Sequence, residues 1–168
     1  LAAAGGGCAE EKAVGPSTGV GVPLEAGRGL KLLGVGVRKK LIIDVYASAI
    51  YAAHKEMKKQ LKDFEPKSVY HALIYGAFPK RMVLHFVREV GGDKIKNAFK
   101  ASLSKNLSKE DLEHEEKVLE DFYEVCERGV KKGQKFIVDT SGRRVRITLG
   151  GKLVFKTKSK RLARGMWM

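Results

Sequence analysis

From Leu30 to Ala53 the chain alternates with the two-residue rhythm of β-strands, first over Leu30–Arg38 and then over Leu41–Ala53. In the second run Leu41, Ile43, Val45, Ala47, Ala49 and Tyr51 share one face, while Ile42, Asp44, Tyr46, Ser48 and Ile50 share the other. The first face is almost wholly apolar and suited to burial. The second mixes apolar side chains with hydroxyls and little charge, as a sheet face lining a cavity would. Residues 54–64 read as a basic helix, and Pro66 opens another that Gly76 stops. Pro79–Val90 alternates again, with Met82, Leu84, Phe86 and Val90 set against Arg81, His85 and Glu89. The period then lengthens. Ile95, Ala98, Phe99 and Leu103 mark one helix, capped by Asp93. Ser108 with Asp111 resembles a capping box, and the helix behind it turns Leu112, Leu119, Phe122, Tyr123 and Cys126 inward before Gly129. Two or three short strands follow, at Lys135–Asp139, Arg143–Leu149 and Lys152–Lys156, and a last helix begins near Ser159. Strands, helices and strands in that order, without βαβ alternation, predict an α+β fold. It would be a mainly antiparallel sheet with helices against one side.

Composition narrows the picture. At 168 residues the chain suits one domain with a real core. Its apolar runs are too short for a membrane-spanning helix. Cys8 and Cys126 stand far apart, so neither a disulfide framework nor a zinc site is expected. Residues 1–17, small, polar and glycine-rich, read as a flexible leader or targeting remnant, which would suit a plastid or mitochondrion. The domain is placed at 18–168 and expected to be truncated at its C-terminal end. The net charge of +14 is concentrated late: Lys131–Arg164 holds a dozen basic residues against a single acid, Asp139. That field reads first as a solvated face, and otherwise as a surface for nucleic acid, anionic lipid or an acidic partner. Nucleic acid is disfavoured, because no aromatic residues interleave with the basic ones.

Several chemistries can be set aside. In Leu32–Lys40, LLGVGVRKK, Gly34 and Gly36 lack the third glycine of a dinucleotide loop and no helix follows them. His54, His71, His85 and His114 are scattered, so no metal and no cofactor is expected. No serine or cysteine sits in a nucleophile elbow. What remains is Arg38 at a strand end, with Tyr46 and Ser48 on the mixed face. A guanidinium anchors an anion, and a nearby phenol can add a hydrogen bond to it. Periodicity leaves two readings open: Arg38 in water with Tyr46 capping a core, or both holding one ligand. If Lys39-Lys40 formed a two-residue hairpin loop, Tyr46 would lie roughly 15 Å beyond Arg38 at about 3.3 Å per residue. For both to touch one head group the strand must bulge or the side chain must reach, and the two glycines would accommodate a bulge.

The segment Leu30–Ala52, LKLLGVGVRKKLIIDVYASAIYA, resembles the signature of the chalcone isomerase-like superfamily. Gly34, Gly36 and Arg38 match its G-x-G-x-R strand end, Val45-Tyr46 its V-Y pair, and Tyr51 its second tyrosine. The resemblance continues through Met82–Val87, Lys96–Leu103 and Ser159–Trp167. It implies an open-faced β-sandwich, a large antiparallel sheet covered by a layer of helices with a ligand cleft between them. It also implies two activities. The family's enzymes are intramolecular lyases that cyclise a chalcone to a flavanone, with the arginine on the attacking phenolate. Its fatty-acid-binding relatives use the same arginine, and a tyrosine on the next strand, to hold a carboxylate.

Carried over, Arg38 is the shared arginine and Tyr46 the tyrosine of the binding type. Asn97 matches the catalytic asparagine, but the tyrosine expected shortly before it is missing. The resemblance therefore implies a binder of a fatty acid or similar amphiphilic carboxylate, held by Arg38, Tyr46 and Ser48. Ile42, Ile50, Phe86 and Phe99 would lie against its tail. The alternatives are a lyase using Arg38, Tyr46 and Asn97 on a phenolic ligand, and a basic peripheral protein docking on anionic membrane or nucleic acid.

Overall fold

A computed structural model describes residues 12–168 apart from 16, 28, 41, 62 and 64, so most of the expected leader lies outside the described residues. Two short strands, β1 (Lys12–Val14) and β2 (Gly21–Pro23), pair with each other. A six-stranded sheet follows. In it β3 (Leu30–Lys40), β4 (Ile43–Ala53), β5 (Lys80–Phe86), β6 (Lys135–Ser141), β7 (Arg144–Leu149) and β8 (Lys152–Lys158) lie side by side in chain order. Every neighbouring pair is antiparallel. Helices α1 (His54–Gln60) and α2 (Pro66–Tyr75) precede β5, and α3 (Gly92–Asn106), α4 (Lys109–His114) and α5 (Glu116–Cys126) precede β6. The last helix, α6 (Lys160–Gly165), follows β8. This is the predicted α+β sheet-and-helix architecture.

The register gives the sheet two unlike faces, since residues directly opposite across a pair point the same way. Tyr46, Ser48, Ile50 and Ala52 of β4 stand opposite Phe86, Leu84, Met82 and Lys80 of β5. Phe136, Val138 and Thr140 of β6 and Leu149, Ile147 and Val145 of β7 continue that face. The helices cover it with Ile95, Leu103, Leu119, Phe122 and Leu162, forming the main core. Fully burying a side chain such as Phe122 stabilises the fold by about 1.5–3 kcal/mol. The opposite face carries Ala49, Tyr51 and Ala53 and packs against Val22 and Leu30 in a second core. The Tyr51 hydroxyl donates to the Pro23 carbonyl at 3.0 Å and ties the N-terminal segment to the sheet. An apolar sheet face needs a cover, which Val20 and Val22 supply, and Lys12–Val14 pairs as a strand with the segment that carries Val22.

Other departures are local. β3 runs through Lys40, which pairs with Ile43, so Lys39-Lys40 is not the turn and β3 is longer than its alternation suggested. Leu41 and Phe64, which the sequence placed in a strand and a helix, lie outside the described residues. The third strand stops at Phe86, and Val90 bridges to Val130 instead. Gly91, not Asp93, caps α3. Ser108 does accept the Asp111 N–H at 3.1 Å, but the helix behind it breaks at Glu115 into α4 and α5. Cys126 is buried in the main core, and that burial pushes its thiol up to about 12.

One buried cation fastens three of these elements. Lys80 is 4% exposed and in phase with Met82, Leu84 and Phe86. Its ammonium donates to the Leu73 and Gly76 carbonyls at the end of α2. It also lies 5.1 Å from the Phe78 ring centroid and 5.3 Å from that of Trp167. Trp167 in turn donates from Nε1 to Thr140 Oγ1 at 2.8 Å. Burial lowers the Lys80 pKa to about 8. A neutral amine still has hydrogens for both carbonyls, so deprotonation relieves the desolvation without breaking this staple. Between about 8 and 10.5 the unfolded chain binds the proton and the folded chain does not, so stability must rise with pH there. Relative to Lys80→Met, the wild type should gain on the order of 2 kcal/mol in urea unfolding between pH about 7 and about 9.5. A difference that stays constant over that span would contradict this placement of the lysine.

Candidate functional site

Arg38 is directly opposite Tyr46, and Tyr46 is directly opposite Phe86. The next rows on the helix-side face are Gly36, Ser48 and Leu84, then Gly34, Ile50 and Met82. Three strands thus build a grid whose first row ends in a guanidinium and whose edge is bare. Two register shifts make it, one between Leu32 and Gly34 and one between Arg38 and Lys39. The expected bulge exists. The first shift inserts Leu33, which packs against the main core.

The grid sets a guanidinium and a phenol beside an apolar floor. The Tyr46 ring packs on Phe86 with centroids 5.2 Å apart. Burial raises the Tyr46 pKa and the Arg38 charge opposes that rise, so the phenol stays protonated and able to donate. Arg38 itself is exposed. Ser48 Oγ donates to the Gly36 carbonyl at 3.2 Å, leaving its lone pairs to accept. A Cβ added at Gly34 would meet nothing within 4 Å, and one at Gly36 only the Ser48 hydroxyl at 3.1 Å. The glycines therefore do not admit neighbouring backbone. They leave the surface beside Ser48 and Ile50 open.

Not every residue named from the sequence joins this grid. Ile42 is 93% exposed in the turn before β4, where it has no sheet or helix to pack against, so it lines no cavity. Asn97 is exposed on α3, two residues from buried Ile95 and hence on the far side of the helix from the core. Phe99 lies deeper than a tail-lining role implies: it is stacked on Phe136 at 5.3 Å and edge-on to Phe122 at 5.2 Å. Phe86 is 2% exposed, a floor under Tyr46 and not an open wall. Met82 and Leu84, which the alternation had put on the right face, complete the rows and were not singled out.

Two hollows open elsewhere. One of about 190 Å³ lies on the alanine face under the N-terminal segment, between Val22, Ala47, Ala49, Val83 and His85. The other, about 490 Å³, lies among α4, α6 and the ends of β7 and β8 and is polar. Neither is lined by Arg38 or Tyr46. The basic segment does not form one uniform face either. Arg161 and Arg164 bond Asp111, whereas Arg144 faces Lys158 and Arg146 faces Lys156 across the β7–β8 pair.

Comparison with known proteins now bears on this geometry. The chalcone isomerase-like family matches residues 21–168. The chain belongs to that family. Over 60 residues it is 43% identical to Fatty-acid-binding protein 1 of Arabidopsis thaliana, a match that covers 33% of this chain and 22% of that protein's length. The crystal structure of the Arabidopsis thaliana fatty-acid binding protein superposes with a TM-score of 0.79 at 26% identity, over 93% of this chain and 86% of that one. The large antiparallel sheet with its helical layer is thus the chalcone isomerase-like fold.

The pairing of Arg38 with Tyr46 has a direct readout. In an NMR titration of ring-labelled tyrosine, with Tyr46→Phe assigning the signal, Tyr46 should ionise above the ordinary phenol value of 10.0. Arg38→Ala should move it higher still, because it removes the opposing charge. A shift downward in that variant would show that the two side chains do not meet.

Proposed function

We propose that this chalcone isomerase-like chain binds a fatty acid or a similar amphiphilic carboxylate, with Arg38 and Tyr46 taking the carboxylate. The observation that carries the reading is the direct pairing of a guanidinium with a protonated phenol on the helix-side face. Both donate, and a carboxylate has lone pairs for both. The open strip over Gly34 and Gly36, bordered by Ser48, Ile50 and Met82, gives the tail an apolar path along the strands. The fatty-acid-binding relatives from Arabidopsis support the same class of ligand. Cyclisation of a chalcone-like phenol needs groups that polarise the ketone. Asn97 is exposed, and the residues just before α3 supply no phenol, so the site is read as a binder and not as a lyase.

Two substitutions test this together. Arg38→Ala should weaken fatty-acid binding by at least ~1.5 kcal/mol, roughly tenfold, in a calorimetric titration. Gly34→Val should leave unfolding stability within about 0.5 kcal/mol, since its side chain enters open space, yet reduce affinity by filling the tail's path. Unchanged affinity in both variants would remove the site. Loss of a chalcone's visible absorbance that Arg38→Ala abolishes would instead establish the lyase.

A further inference from the structure

The hollow of about 490 Å³ is bounded by the turn that joins β6 to β7, the end of β8, α4 and α6. Its charged lining is unbalanced: five cations face two carboxylates. The carboxylates are already engaged. Asp111 accepts from Arg161 Nε at 2.6 Å and from Arg164 Nη2 at 2.9 Å, and Glu115 lies 3.8 Å from Arg161 Nη1. The Arg161 hydrogen bond, joined by the Ser108 contact and the Arg164 charge, holds the Asp111 carboxyl below its ordinary value and keeps it ionised. Arg143, Lys158 and Lys160 add three further cations around the same space. Among the described residues no carboxylate lies within ion-pair distance of these three. Arg164 reaches Asp111 through Nη2, while its Nε is closed to solvent and has no hydrogen-bond acceptor.

We infer that this hollow binds a phosphate monoester group, as a site separate from the Arg38–Tyr46 anchor. A phosphate monoester carries about −1.5 to −2 charge near neutral pH and presents several acceptor oxygens, which suits a surplus of three cations. A single carboxylate would leave most of that charge unmet. The volume lies within the roughly 300–1,000 Å³ usual for small-molecule sites, so it has room for the organic part of an ester beside its phosphate. The Asp111 bridge is then a positioning device. It fixes two arginines at the wall of the hollow, and the unbridged cations meet the ligand. Two sources share this chemistry: a soluble phosphate ester and the headgroup of a phosphatidic acid.

Calorimetric titration of the full chain with inorganic phosphate and glycerol phosphate probes the first source. Sedimentation with phosphatidylcholine vesicles, plain or carrying phosphatidic acid, probes the second. Arg143→Ala combined with Lys160→Ala should weaken binding at least about tenfold. Arg146→Ala combined with Lys156→Ala removes the same charge from exposed strand positions outside the hollow and should leave binding within about twofold. Fatty-acid affinity should be unchanged in both variants, which separates this site from the proposed carboxylate anchor. Saturable binding of a soluble phosphate with that pattern supports the site and a free ligand. Binding confined to phosphatidic acid vesicles with the same pattern supports the site and a lipid headgroup. No binding of either kind, or equal loss in both double variants, overturns the proposal in favour of a nonspecific basic surface.

Discussion

The pairing of β3 with β4 carries two shifts of register, and the direction in which Arg38 points depends on the first of them. Leu30 and Leu32 stand opposite Ala53 and Tyr51, on the face that the N-terminal segment covers. In an unbroken strand Gly34, Gly36 and Arg38 would follow them onto that face, and Val35 and Val37 would turn toward the helices. The extra residue, Leu33, reverses the phase, because a slip of one residue moves every later side chain to the other face. Gly34, Gly36 and Arg38 thereby join Ile50, Ser48 and Tyr46. The second shift, beyond Arg38, restores the pairing toward the turn, where Lys39 lies 3.5 Å from Asp44.

That phase reversal matters because the two faces have such different covers. On one, alanines at 47, 49 and 53 let the backbone of a short N-terminal strand pair approach, and Tyr51 pins it. On the other, large side chains meet the helices. The N-terminal cover reaches only part of the sheet. Beyond it the outer faces of β7 and β8 are exposed: Arg146 and Lys156 stand directly opposite each other there, while Lys158, opposite Arg144 at the end of the pair, also borders the hollow beside α6. Like charges directly opposite cost some sheet stability. The hydrophobic side of the same strands, with Val145 and Ile147 fully buried, supplies the compensation.

The parts of this structure written in short-range periodicity were legible. Alternation separated the two faces of β4 and found Met82, Leu84 and Phe86 together, and the helices fell where the longer period placed them. Long-range facts were not. The break at Glu115 sits where that residue is buried near Arg161 of a distant helix, and nothing nearby in the chain announces it. The register of β3 depended on a bulge that glycines permit but do not locate. Some misses had signals. Lys80 shares the phase of three core residues, so its burial could have been inferred. Asn97 lies out of phase with Ile95, Phe99 and Leu103, so its exposure followed from helical geometry alone. Ile42 failed because membership of a strand face means nothing once the residue lies in the turn.

The arginines show how the fold distinguishes structural cations from available ones. Arg81 is held by both oxygens of Asp139, at 2.6 and 3.0 Å, directly across the β5–β6 pair. Arg161 and Arg164 share Asp111 and so fasten α6 to α4. Each of these charges has its counterion within the fold. Arg38 differs: its cross-strand partner is a phenol, and among the described residues no carboxylate lies within ion-pair distance of it. A phenol kept protonated cannot neutralise a guanidinium; it can only donate beside it. Two donors set opposite each other, with no carboxylate beside Arg38, are the arrangement on which the proposed anion site rests, and the bare glycines beside them leave the strip along the strands open.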